Sequence, residues 1–153
     1  MAADMEHRSE SPFLDLIGTE VEEWRDGYAR IGVTLRPELL NRAGVPHGGL
    51  IATLLDHASS FCGLYCTQPG NRRYGMTLSL SCDFIGQSDG GRLTAVGLMT
   101  RAGRSVYFSS AEVHDDQGKL LGRSTSVHRY RTGSEDPRGV PPRSEAARDG
   151  AGD

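Results

Sequence analysis

From Gly49 to Tyr65 the chain reads GLIATLLDHASSFCGLY, 17 residues with no proline and one formally charged side chain, Asp56. Apolar residues recur at Leu50, Leu54, Ala58, Phe61 or Cys62, and Tyr65. A second row, Ile51, Leu55 and Cys62, runs beside the first. The spacing predicts a helix. Two adjoining apolar rows cover most of its circumference, so it must be buried on most sides. Whatever else the chain forms has to wrap around this segment.

The rest of the folded part reads as strands. Glu20 to Arg25 and Tyr28 to Leu35 alternate about Asp26-Gly27, a hairpin turn signal. After a loop from Arg36 to His47 and the helix come four strand-like runs: Met76–Ile85, Arg92–Thr100, Ser105–His114 and Leu120–Tyr130. Short polar and glycine-containing separators predict antiparallel pairing, with the four in a meander. Phe13 to Ile17 is a short apolar cluster of one or two helical turns ending at Gly18. A single antiparallel sheet has one apolar face to cover, and the only long helix is the apolar one. The expected class is α+β, a curved antiparallel sheet wrapped around one long buried helix.

Residues 1 to about 12 and 133 to 153 are expected to be disordered tails flanking one domain, 13–132. From Gly133 onward there are four Gly, three Pro and eight charged residues, with only Val140 and three Ala as apolar side chains. Such a segment buries too little to offset the entropy of ordering. Polar tails also account for an apolar share of 37%, against roughly 45–50% in ordinary domains. With 17 basic and 20 acidic residues the net charge is -3, which argues against a nucleic-acid binder or a polybasic membrane-surface protein. The N-terminus has no apolar run of signal-peptide type, and no uncharged apolar stretch reaches spanning length. Three cysteines, Cys62, Cys66 and Cys82, leave one unpaired in any disulfide scheme. A reduced, cytoplasmic chain is expected.

The chemistry concentrates at the helix. A carboxylate midway along a nearly all-apolar helix is costly to bury unless paired or used. Gly49, Ala52, Thr53, Ser59, Ser60 and Gly63, all small or hydroxylic, lie on the side of Asp56 and suggest a cleft. The plain alternative is that Asp56 only accepts hydrogen bonds from Thr53, Ser60 or a neighbouring strand. The preceding loop, Asn41 to Gly49, ends in His47-Gly48-Gly49 at the helix N-terminus. Backbone N–H groups there lie at the positive end of the dipole, and glycine admits an oxygen closely, as oxyanion binding needs. A tight loop-to-helix turn explains two glycines equally well. Gly48 and Asp56 are eight residues apart, about 12 Å along one helix, so a site using both needs two subunits.

These residues, Asn41, His47-Gly48-Gly49 and Asp56 in the pattern N-x5-HGG-x6-D, resemble the hotdog-fold acyl-CoA thioesterases, and among them the phenylacetyl-CoA (PaaI) type. The resemblance covers about Phe13 to Tyr130. It implies a hotdog fold and hydrolysis of an aryl- or medium-chain acyl-CoA, without a cofactor or metal. By the same resemblance, the Gly48 N–H polarises the thioester carbonyl, with Gly49 beside it. Asn41 helps bind carbonyl or water, and His47 holds the loop or the sulfur side. Asp56, from the other subunit, is nucleophile or general base, and Thr77, with Ser79 in reserve, orients the water. A homodimer, and by resemblance a dimer-of-dimers tetramer, is implied.

Coenzyme A carries phosphates that arginine binds well. Candidates are the turn Arg101, Gly103, Arg104 and Ser105, and Arg72 and Arg73 after the helix; solvated turn arginines are the plain alternative. Phe61, with Leu55, Leu64 and residues 13–17, is expected to line the acyl pocket. Cys62 and Cys66 share a helix face, but His57 does not join them and zinc spacings are absent, so no metal is expected. Trp24 reads as packing, and His114 and His128 as strand positions on the surface or in the core. A hotdog hydratase or dehydratase and a non-catalytic acyl-CoA-binding hotdog protein are the rivals. The HGG loop disfavours the first and the retained acid the second.

Overall fold

The computed structural model describes residues 11–143. Helix α1, Pro12–Ile17, is capped by the Ser11 hydroxyl and stopped by Gly18. Strands β1, Glu20–Arg25, and β2, Tyr28–Thr34, form the hairpin about Asp26-Gly27. Helix α2 spans Gly48–Phe61, and β3, Gly75–Phe84, β4, Arg92–Ala102, β5, Val106–Asp115, and β6, Leu120–Tyr130, complete one six-stranded sheet. All pairs are antiparallel. The core lies between sheet and helix: Leu54, Leu55 and Ala58 of α2 meet Ile31, Val33, Leu93, Ala95 and Val113, all fully buried. Gly97 of β4 faces the Ala58 carbonyl so closely that a Cβ there would collide with helix backbone.

The strand order is β1-β2-β4-β5-β6-β3, not a four-strand meander. Of the four strands after α2, only β4, β5 and β6 follow one another; β3 leaves α2 to pair with β6 at the far edge, and β4 returns beside β2. Burial explains the exchange. Strands β2 and β4 place Ile31, Val33, Leu93 and Ala95 in the core, whereas β3 buries no residue fully and exposes Met76, Leu78 and Phe84. The strands with the larger apolar face take the centre of the sheet. The linker is tied at both ends, with Ile85 and Gly86 N–H on the Leu121 carbonyl and Leu35 N–H on the Gly91 carbonyl.

Helix α2 stops four residues before the expected Tyr65. Its last carbonyls are taken by side chains from the sheet: Tyr107 Oη donates to Ser60 O (2.8 Å) and Trp24 Nε1 to Phe61 O (2.7 Å). Gly63 lies against the Tyr107 ring where no Cβ would fit, so the chain turns away there.

The boundaries shift outward from those expected. Ser11 and Pro12 belong to α1. Residues 133–143, expected to be disordered, lie across the 66–74 loop. Arg72 and Val140 form a two-way backbone bridge. Ser134 is fully buried and takes the Tyr74 N–H on its hydroxyl. The Arg73 guanidinium donates to the Ser134, Tyr65 and Glu135 carbonyls and stacks on the Tyr130 ring. Fixed polar partners, rather than apolar burial, order this segment. The remaining tail expectations, 1–10 and 144–153, lie outside the described residues.

Candidate active site

The loop before α2 is built on Asn41. Its N–H donates to the Val45 carbonyl, and its Oδ1 accepts from the Ala43 (2.9 Å) and Val45 (3.4 Å) N–H groups. The loop delivers His47 to the N-cap of α2. There His47 Nδ1 accepts from Gly49 N–H at 2.9 Å, and its carbonyl accepts from Leu50 and Ile51. Of the first four helix donors this leaves the Gly48 N–H with no acceptor among the described residues. The two glycines differ in kind. A Cβ on Gly49 would press on His47 Nδ1 at 3.0 Å, so the cap itself accounts for that glycine. A Cβ on Gly48 would meet only the Phe84 ring at an ordinary 3.7 Å, and its φ is not left-handed. Nothing in the chain's own packing demands glycine at 48.

About two helical turns further along α2, Asp56 is half-buried. Thr77 Oγ1 donates to its Oδ1 at 2.6 Å. Two hydroxyls of the helix itself are engaged elsewhere: Thr53 donates to Gly49 O and Ser59 to the Asp56 carbonyl. Thr77 reaches the acid because β3 is bulged between Thr77 and Ser79. Thr77 pairs with His128, whose side chain faces the helix. Past the bulge Ser79 pairs with Val127 and faces the other way, so the two candidate hydroxyls do not lie together.

Behind Thr77 lies a residue to which the sequence reading gave no role. His128 is fully buried, with Nδ1 3.2 Å from Thr77 Oγ1 and Nε2 2.8 Å from Ser126 Oγ. Its ring stacks on Tyr107 at 4.9 Å. Burial lowers its pKa, with the Asp56 charge opposing. The signal was available: Ser124, Ser126 and His128 recur at every second position of β6, a polar row on the core-facing side.

The remaining candidates scatter. Arg73 is spent on the 133–143 segment, and Arg72 donates to its neighbour Asn71 O. Arg101 lies near the end of β4, and Gly103, Arg104 and Ser105 belong to the β4–β5 turn, all four exposed. Ladder register puts that turn at the same end of the sheet as Thr77, since Ala102 pairs with Tyr107, Tyr107 with His128, and His128 with Thr77. Phe61 packs against Trp24 (4.9 Å) and His57 (4.5 Å). Leu55 and Leu64 are core residues, which removes them from the expected pocket wall. His57 is buried with both ring nitrogens unpaired, and burial lowers its pKa to about 4. Cys62 is raised to about 11 by burial, so it stays a thiol near neutrality. Among the described residues no three His, Cys, Asp or Glu cluster as metal ligands, and no helix is long and apolar enough to cross a membrane.

A curved antiparallel sheet around one long helix is the hotdog arrangement. The chain belongs to the thioesterase superfamily, whose family model matches residues 43–122. It is similar to the medium/long-chain acyl-CoA thioesterase YigI of Escherichia coli K12, 25% identical over 133 residues, covering 76% of this chain and 84% of that protein. A putative esterase of Thermoplasma volcanium, TV1331, is 28% identical over 116 residues, covering 76% and 85%. Among solved structures it matches the conserved protein PA5202 of Pseudomonas aeruginosa (TM-score 0.70, 25% identity, 79% and 94% covered). It also shares the fold of the E. coli PaaI protein of the phenylacetic acid degradation operon (TM-score 0.72, 17% identity, 87% and 89% covered).

Proposed function

We propose that this acyl-CoA thioesterase-family protein hydrolyses aryl- or medium-chain acyl-CoA to the free acid and coenzyme A, in sites formed between two copies of the chain. The observation that carries the reading is the Thr77–Asp56 hydrogen bond, which gives a half-buried carboxylate a fixed orientation and leaves its second oxygen for water or substrate. Asp56 takes a proton from water as the water oxygen adds to the thioester carbon, or attacks that carbon itself. In either case charge gathers on the carbonyl oxygen. The Gly48 N–H of the other copy receives it, and one such donor is typically worth 10²–10³ in rate. Collapse expels the coenzyme A thiolate, which takes up the proton released by the attacking water; where Asp56 attacks first, collapse leaves a mixed anhydride on Asp56, and water then hydrolyses it to the free acid and restores the carboxylate.

Two features support assembly of the site across an interface. Gly48 and Asp56 of one chain stand about 12 Å apart along α2. Gly48 is also a glycine that its own chain does not require, as expected where an outside group approaches. Asn41, its Oδ1 committed to the loop, keeps its amide N–H groups for the carbonyl or the water, and His47 acts through the cap. Arg101 and Arg104 sit where coenzyme A phosphates reach if the acyl group lies beside Thr77. The medium-chain half of the substrate reading draws on YigI, and the aryl half on the likeness to PaaI.

Incubation with a panel of aryl- and straight-chain acyl-CoAs, with free thiol as the readout, tests the proposal. Thiol release that saturates with an aryl- or medium-chain substrate is expected. Binding of acyl-CoA without turnover across the whole panel would leave a binding protein instead.

A further inference from the structure

The polar chain at the acid does not end with Thr77. It continues through His128 to Ser126, and its hydrogens can be assigned by counting. A carboxylate only accepts, so the 2.6 Å contact uses the single Thr77 proton on Asp56. The Thr77 oxygen then faces His128 Nδ1 at 3.2 Å with lone pairs only. That contact is a hydrogen bond only if Nδ1 carries a proton. Burial favours the neutral ring, so Nε2 is then bare and accepts from Ser126 Oγ at 2.8 Å. In the opposite tautomer Nε2–H would donate to Ser126, which would pass its own proton to the Ser109 carbonyl at 3.4 Å. Nδ1 would then compete with Asp56 for the Thr77 proton. The shorter Ser126–His128 contact and the 2.6 Å Thr77–Asp56 bond both fit the first arrangement. The ring cannot easily evade the choice, because it is fully buried and stacked on Tyr107 at an interplanar angle of 18°.

We propose that His128 is a positioning residue: its Nδ1–H, donated to the Thr77 oxygen, commits the Thr77 hydroxyl to Asp56 and so holds the carboxylate in one orientation. The proposal rests on the reading of Asp56 as the reacting acid. His128 touches neither substrate nor water. It acts through Thr77, and Ser126 acts through it by holding the tautomer.

Two measurements test this, and the first needs no activity. ¹⁵N NMR of histidine-labelled protein reads the tautomer directly. Nδ1–H is expected in the parent chain, with a switch to Nε2–H in Thr77→Val, where Nδ1 loses its acceptor. An Nε2–H ring in the parent chain overturns the proposal. The second is kinetic. His128→Leu should lower kcat by about ten- to a hundredfold with KM within about twofold, since only orientation is lost. His128→Asn, whose amide N–H falls near the Nδ1 position, should recover most of the rate. The Thr77→Val/His128→Leu double variant should be no slower than Thr77→Val alone. Multiplying losses, or no rescue by Asn, would make His128 a core residue only. If His128→Leu fails to fold, the Asn variant and the tautomer still decide. An Nδ1–H ring in a protein that hydrolyses no acyl-CoA would leave the hydrogen-bond assignment standing and refute the thioesterase reading alone.

Discussion

Thr77 and Asp56, 21 positions apart in the chain, are joined by a 2.6 Å hydrogen bond between an edge strand and a buried helix. The bulge in β3 puts Thr77 on the core-facing side, because unbroken alternation from Leu80, opposite Ser126, would turn Thr77 outward. The partner of this acid comes from the sheet, while Thr53 and Ser59 on α2 donate to backbone carbonyls. The same contact links the acid to His128 and Ser126, so the half-buried charge stands at the end of a polar chain running into the core.

Replacing Asp56 with Asn preserves shape and removes the charge. If the acid reacts, kcat should fall by about 10² or more while the protein stays folded and still binds coenzyme A. A merely structural acid would show the reverse: stability down by about 1 kcal/mol or more and kcat within a few-fold. Steady-state kinetics and a thermal melt on the same sample separate the two.

Mixing subunits tests whether the site is shared. Gly48→Pro removes the orphan N–H at the first helical position, where proline is tolerated. Gly48→Pro and Asp56→Asn chains should each be inactive alone, and mixed dimers should regain up to one intact site. Sedimentation should find at least a dimer; an active monomer would contradict the arrangement.

Arg104→Ala should raise KM for acyl-CoA more than it lowers kcat, because a phosphate contact lies far from the reacting carbon. The effect should shrink for a pantetheine thioester lacking the nucleotide. Equal losses with both substrates would assign Arg104 to the turn itself.

Ending the chain after Thr132 should lower stability by about 2 kcal/mol, visible as a melting temperature several degrees lower. The cut strips the Arg73 guanidinium and the Tyr74 N–H of the Ser134 partners they now have. An unchanged melt would mean that these contacts contribute nothing net.

Acid should weaken the fold through His57. Its pKa is about 4 in the folded chain against 6.5 in the unfolded one. Between those values the unfolded chain binds a proton that the folded chain refuses, so stability is full above about pH 6.5 and falls toward pH 4. The loss approaches roughly 3 kcal/mol. His57→Leu also removes two unpaired buried nitrogens. It should therefore be more stable than the parent, and flatter between pH 7 and pH 5 in denaturant titrations. An unaltered acid slope would place its origin elsewhere.

Much of this protein is written locally. The two apolar rows from Leu50 to Cys62 specify a buried helix because side chains three and four apart share a face. Asp26-Gly27 specifies the first hairpin because a glycine with positive φ closes it. The acid and the HGG start were visible as residue types at a set spacing, and Thr77 only through the resemblance to the thioesterases. Period-two alternation, however, says only which side of a strand is apolar. It does not say which strand lies alongside. That β3 pairs with β6 and not β4, that Tyr107 and Trp24 end α2 at Phe61, and that residues 133–143 close over Arg73 were decided by competition between distant segments for the same core face and the same donors. His128 is the clearest case. On its own strand it is one polar residue among several, and only the antiparallel register that sets it opposite Thr77 makes it the third member of a hydrogen-bonded chain. The sequence alone determined the elements and the acid; the tertiary structure decided who stands beside whom, because pairing depends on burial summed over the whole sheet.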